Sequence, residues 1–133
     1  MIFHCATIYI MLSYASMRTV YLADLTHTGQ IVASNVFPLG VGLVGACIQR
    51  EFPTFHVELF KYPDDLSKAC EKKAPDLIGF SNYSWNCNLG MEFGRRIKER
   101  YPQTVVIAGG PNYGTTLAEH EDWWARFPWL DFY

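Results

Sequence analysis

The chain has 133 residues, of which 50% are hydrophobic and 16% aromatic, enough for one domain with a buried core and too few for two. Charged residues make up 18%, with 11 Lys and Arg against 13 Asp and Glu and a formal charge of -2. That balance supplies no electrostatic pull toward nucleic acid or an anionic membrane, and the apolar fraction excludes a disordered chain.

Residues 1–17 (MIFHCATIYIMLSYASM) carry no charged side chain. They lack the basic start and small-residue cleavage site of a signal peptide, and Ser13, Tyr14 and Ser16 interrupt a run already short for a membrane span. The segment is expected to be an extension outside the domain, disordered or the product of an over-long start assignment. From Arg18 onward strand and helix patterns alternate. Thr19 to Asp24 (TVYLAD) reads as a first strand. Pro38 opens a helix on which Leu39, Leu43, Val44, Cys47 and Ile48 form an apolar stripe, ending near Phe52 and Pro53. Phe55 to Tyr62 reads as a second strand, with Phe55, Val57 and Leu59 on one face. Asp64 or Asp65 caps a short helix whose inner face is Leu66, Ala69 and Cys70.

Asp76 to Asn82 (DLIGFSN) is nearly all apolar, as in a strand covered on both faces. Trp85, Leu89, Phe93, Ile97 and Tyr101 then recur every fourth residue along a third helix. Thr104 to Gly110 (TVVIAGG) is a fourth strand. A last helix spans about Thr115 to Phe127, with Leu117, Trp124 and Phe127 expected on its core face, His120 beside them, and Glu119, Glu121 and Asp122 in solvent. Trp129 to Tyr133 starts a fifth strand. The cysteines, Cys5, Cys47, Cys70 and Cys87, form no C-x-x-C pair and no cluster motif. Cys47 and Cys70 fall on helix faces expected to be buried, as in a reduced cytoplasmic protein.

This rhythm predicts parallel strands joined by crossovers: an α/β, flavodoxin-like (Rossmann-like) doubly wound sheet of five strands in the order 2-1-3-4-5. Ligands in such sheets sit outside the carboxyl ends of the strands, beside the first and third. The loops to inspect are Leu25 to Phe37, Ser81 to Trp85 and Gly109 to Thr115. In the first, Thr26, His27, Thr28 and Gly29 resemble the phosphate loop of flavodoxins, which implies FMN. Ile31 stands where that loop needs a hydroxyl, and Pro38 starts the helix too late. Asp24 and Gly29 have the spacing of the D-x-H-x-x-G motif of cobalamin-binding domains. The axial-ligand position is Thr26, with His27 one place late, so no protein histidine is assigned to the cobalt.

The third strand ends in Ser81, Asn82 and Tyr83, and the fourth in Gly109, Gly110, Pro111 and Asn112, where paired glycines allow close approach of a bulky ligand. Together PDLIGFS (Pro75 to Ser81), VVIAGGPN (Val105 to Asn112), LDFY (Leu130 to Tyr133) and the Pro38–Gly40 helix start resemble the N-terminal cobalamin-binding domain of cobalamin-dependent radical SAM proteins. The resemblance spans Arg18 to Tyr133. It implies bound cobalamin, with Ser81, Gly109 and Gly110 lining the pocket for the nucleotide tail. Residues 26–29, Pro38 and Gly40 would border the corrin. It also implies a C-terminal radical SAM domain, carrying SAM and a 4Fe-4S cluster, that this chain lacks. Two other classes share the fold. A receiver-like signalling domain would need an acidic cluster after the first strand and Asp at the end of the third, and neither is present. A non-catalytic interaction module would use exposed Trp123, Trp124 and Trp129. Neither a nucleophile–base pair nor a metal cluster is visible, so catalysis and metal ligation are assigned to no residue.

Overall fold

The structure is a computed structural model that describes residues 18–28 and 37–133; the readings of residues 1–17 and of Gly29 lie outside these. Four five-residue strands, β1 (Thr19–Ala23), β2 (His56–Phe60), β3 (Leu77–Ser81) and β4 (Val105–Gly109), form one parallel sheet in the order β2-β1-β3-β4. The helices α1 (Leu39–Glu51), α2 (Pro63–Lys72), α3 (Cys87–Arg100) and α4 (Leu117–Arg126) alternate with them. Among the described residues no helix is long and apolar enough to cross a membrane.

Side chains alternate across a strand, and here the alternation sorts the core into two clusters. Tyr21, Ala23, Ile78, Phe80, Val106 and Ala108 face α2, α3 and α4, joining Leu66, Cys70, Met91, Ile97, Trp123 and Leu130. Val20 and Leu22 face the other way, onto Val41 of α1 and Phe55. Burial holds the Cys70 thiol up at about 11, outweighing the pull of Arg100. The starts of β1 and β3 are tied by Asp76, whose carboxylate accepts from Arg18 Nη1 at 2.9 Å and from the Thr19 N–H at 2.8 Å.

Several expectations need correction. The inner face of α1 is Val41 and Gly45 with Ile48, whereas Leu39, Leu43, Val44 and Cys47 are exposed. The reason is close packing: a methyl group at Gly45 would stand 3.2 Å from Leu59 Cδ2, so the helix presents its smallest residue to the sheet. Helix α2 is capped by neither Asp64 nor Asp65; Tyr62 is its N-cap, Pro63 occupies the first turn, and the two aspartates follow there, favourable beside the helix's positive end. Trp85 precedes α3 rather than joining its inner face, and is 64% exposed. Among the described residues β3 is fully covered on one face and partly on the other: Ile78 and Phe80 are buried, Leu77 and Gly79 half-buried.

On α4 the buried tryptophan is Trp123, at 4% exposure, while Leu117 and Trp124 are exposed. Trp123 meets Phe127, Tyr113 and Tyr133 with ring centroids 4.6, 5.8 and 5.2 Å away, and this aromatic cluster fixes which face turns inward. Glu119 is solvent-exposed, as expected, and is also a cap. It closes a capping box with Thr116, and the hydrogen bonds it accepts from Thr116 and the Thr115 N–H lower its pKa. The fifth strand is reduced to a single parallel bridge between Phe132 and Ile107. The Ala108 N–H donates to the Phe132 carbonyl at 3.0 Å, as in a ladder, but the Val106 N–H donates to the Asp131 carboxylate at 2.8 Å. That side chain, held also by Lys98 Nζ at 2.7 Å, takes the donor that a strand carbonyl would have used.

The two tryptophans give a direct test. Trp123→Ala removes a core ring and is expected to cost about 3–5 kcal/mol, whereas Trp124→Ala is expected to cost under about 1.5 kcal/mol. Urea denaturation of both variants checks this; equal losses would contradict the assigned helix face.

Candidate functional site

At the carboxyl ends of the strands, the face of the sheet shared with α1 is covered only in part among the described residues. Leu22, Leu77, Gly79, Ile107 and Gly109 share this face by strand alternation. With Val41, Val44 and Ile48 of α1 they line an apolar trough of about 420 Å³. The volume falls in the range of small-molecule sites. Gly40, Asp24, Ser81, Tyr83 and Gly110 complete its rim. Among the described residues a methyl group at Gly40 or Gly109 would meet nothing within 4 Å, so both glycines leave open space. Asp24 is the one charged residue in this lining.

Two hydrogen-bonded knots hold the rim. The first joins β1, β3 and the start of α3. Asp24 Oδ1 accepts from the Ser81 hydroxyl and, at 3.0 Å, from Asn86 Nδ2, which also lies 3.2 Å from Ser81 Oγ. Asn86 is 1% exposed, and its Oδ1 accepts the Tyr83 N–H at 2.9 Å. The second knot joins β3, β4 and the chain's last residue. Asn82, fully buried, donates its N–H to the Gly109 carbonyl at 2.7 Å and its Nδ2 to the Tyr133 hydroxyl at 3.0 Å. Tyr133 in turn donates to the Gly110 carbonyl at 2.9 Å, and Asn112 Nδ2 donates to Asn82 Oδ1 at 3.4 Å. Burial raises the Tyr133 pKa, partly offset by its bond from Asn82. Its ring stacks on Tyr113 at 4.2 Å, and Tyr113 stacks on His120 at 4.3 Å, whose Nε2 lies 2.7 Å from the Gly114 carbonyl.

Of the residues expected from sequence, Gly40, Ser81, Tyr83, Gly109 and Gly110 come together in this lining. Asn82 and Asn112 lie behind it, in the second knot. Thr26, His27, Thr28, Pro38 and Pro111 are not among the lining residues. The Thr26 N–H donates to the Lys61 carbonyl at 3.0 Å, which carries that loop toward the end of β2. His27 Nε2 lies 3.1 Å from the Trp85 carbonyl, and the exposed Trp85 ring stacks on Tyr83 at 4.4 Å. Asp24 was singled out only for its motif spacing to Gly29, Asn86 was not expected as a site residue, and neither was the floor of Leu77, Gly79 and Ile107. The floor was signalled by strand alternation, but the hydrogen bonds of Asn86 span 62 residues and have no local sequence signature. Among the described residues no group of three His, Cys, Asp or Glu side chains is placed to hold a metal ion. A second cavity, of about 370 Å³, lies between α2 and α3 on the other side of the sheet, away from the strand ends.

Gly110 has φ of 142°, a conformation that L side chains rarely adopt, and a methyl group there would stand 2.5 Å from the Asn82 carbonyl oxygen. Gly110→Ala is therefore expected to cost at least about 2 kcal/mol, and Gly109→Ala under about 1 kcal/mol. Denaturant midpoints decide it; a neutral Gly110→Ala would contradict the second knot.

No family model matches the chain. It is 39% identical over 57 residues to the 2-(S-pantetheinyl)-carbapenam-3-carboxylate methyltransferase of Streptantibioticus cattleyicolor, a match covering 43% of this chain and 8% of that protein. It is 45% identical over 38 residues to the cobalamin-dependent radical SAM methyltransferase TokK of Streptomyces tokunonensis, covering 29% of this chain and 6% of that protein. The chain thus spans less than a tenth of the length of these curated relatives. Among solved structures, a cobalamin-binding protein from Desulfitobacterium hafniense superposes with a TM-score of 0.52 at 16% identity, over 86% of this chain and 51% of that one. These relatives agree with the resemblance carried by PDLIGFS, VVIAGGPN and LDFY. A 38-residue segment of the chain is thus similar in sequence to a cobalamin-dependent radical SAM methyltransferase, and its fold is similar to that of a cobalamin-binding protein.

Proposed function

We propose that this chain is a cobalamin-binding domain, and that the trough at the ends of β3 and β4 receives part of the cofactor. The trough itself carries the reading: an apolar floor, open space over Gly40 and Gly109, and no basic residue in the lining among the described residues. Its 420 Å³ suits one arm of a corrinoid, not the whole molecule, so the ring remains at the mouth. There the stacked Tyr83 and Trp85 offer a flat aromatic surface to a flat ligand. The Asp24 and Asn82 knots hold the strand ends in place before any ligand arrives, which lowers the ordering cost of binding.

A lining whose one charge is a carboxylate disfavours the phosphate of a flavin nucleotide, so the trough supports FMN less well. The same features weigh against a pure interaction module, which needs no recess walled by glycine. A bound cobalamin supplies a cobalt centre able to accept and release a methyl group. The chain's own residues shelter and orient the cofactor; none is read as catalytic. We read the chain as part of a larger radical SAM enzyme whose remaining part brings SAM, a 4Fe-4S cluster and the substrate site, a reading supported by the relative from Streptomyces tokunonensis. We assign no protein histidine to the cobalt's lower face, a reading supported by the 3.1 Å contact of His27 Nε2 with the Trp85 carbonyl.

The test is to mix the purified chain with hydroxocobalamin or FMN, desalt it, and record the visible spectrum. Corrin absorbance is expected to stay with the wild type and to be lost from Gly109→Trp, whose indole would fill the trough. Retained flavin without corrin, or a folded Gly109→Trp that still holds corrin, would contradict the proposal.

A further inference from the structure

Among the described residues Asp24 is the one charged residue lining the trough, and its carboxylate is held by uncharged groups. No ion pair among the described residues involves it. Its stabilisation comes from two uncharged donors, the Ser81 hydroxyl and Asn86 Nδ2, and both bond the same oxygen, Oδ1. Among the described residues Oδ2 takes no hydrogen bond. Because Asn86 is buried and is itself held by the Tyr83 N–H, the carboxylate is fixed in direction as well as in place. The result is a strong, oriented acceptor on the rim of an apolar recess, with no cation to neutralise it.

Such a group discriminates in two ways. A ligand N–H or O–H placed against Oδ2 gains a charge-assisted hydrogen bond. A ligand carboxylate or phosphate in the same place meets like charge beside apolar walls, where screening by water is weak. Corrinoids carry acetamide and propionamide arms around the ring, and their incompletely amidated forms carry carboxylates instead. Resting on the corrinoid reading above, we propose that Asp24 selects the amidated corrinoid, accepting a hydrogen bond from a ligand carboxamide and repelling forms in which that carboxamide is a carboxylate. The phosphodiester of the nucleotide arm is kept away from the Asp24 rim for the same reason. Selectivity here comes from a repulsive element as much as from an attractive one.

The experiment compares cobalamin with its isomeric monocarboxylic acids, in each of which one amide arm is hydrolysed, by visible titration of the wild type and of Asp24→Asn. Asparagine keeps an acceptor for Ser81 and Asn86 but removes the charge. At least one isomer is expected to bind the wild type about tenfold or more weaker than cobalamin, and Asp24→Asn is expected to close that gap to within about threefold. If the variant does not fold, the same gap in the wild type is expected to narrow as salt is raised. Equal binding of every isomer by the wild type, or a gap that survives in folded Asp24→Asn, would overturn the role of Asp24 alone. A wild type that binds no corrinoid would overturn the corrinoid reading and this proposal with it.

Discussion

The site depends on the two-residue alternation of β3 and β4 and on what each face meets. Ile78, Phe80, Val106 and Ala108 point into a core roofed by three helices, so they anchor the strands whatever happens on the opposite side. Leu77, Gly79, Ile107 and Gly109 are then turned toward a face that α1 covers only in part. Because that face carries most of the burial of β3 and β4, the opposite face, covered only in part among the described residues, can stay half-open. Leucine or phenylalanine at position 79 or 109 would close the recess, since residues of that size on neighbouring strands reach one another.

The strand ends also have to be rigid, because a recess bordered by loose loops would be ordered only at the cost of binding energy. Two knots meet that need with uncharged donors. Ser81 and Asn86 hold Asp24, which joins β1 to β3 and to the first turn of α3. Asn82 and Tyr133 hold the Gly109–Gly110 turn, which joins β3 to β4 and to the last residues of the chain. Fixing these ends with neutral groups leaves the lining free of basic residues. The character of the trough, apolar with one oriented carboxylate, thus follows from how the frame is held.

The alternation of strands and helices, and the parallel order of the first four strands, were legible from periodicity, because buried strands such as TVVIAGG have strongly apolar, β-branched composition. Which face a helix turns inward was less legible. On α1 both leucines, Leu39 and Leu43, point outward, because Gly45 permits a closer approach to Leu59 than any larger residue would. On α4 the choice of Trp123 over Trp124 is made by Tyr113 and Tyr133, which come from elsewhere in the chain. The glycine and serine positions of the site were readable as strand-end turns. The Asp24–Asn86 hydrogen bond was not, because it is long-range. The fifth strand was overstated, since composition alone does not reveal that the Asp131 side chain replaces a ladder carbonyl.

The proposed seat of a corrinoid is the half-open face over β3 and β4, and no other recess. Methyl-resolved NMR during titration with hydroxocobalamin tests it most directly. Shifts are expected at Leu22, Leu77 and Ile107, whose side chains line the trough, with little change at Leu89 and Ile97 in the cavity between α2 and α3. Shifts concentrated at Leu89 and Ile97, with Leu77 and Ile107 unmoved, would contradict it.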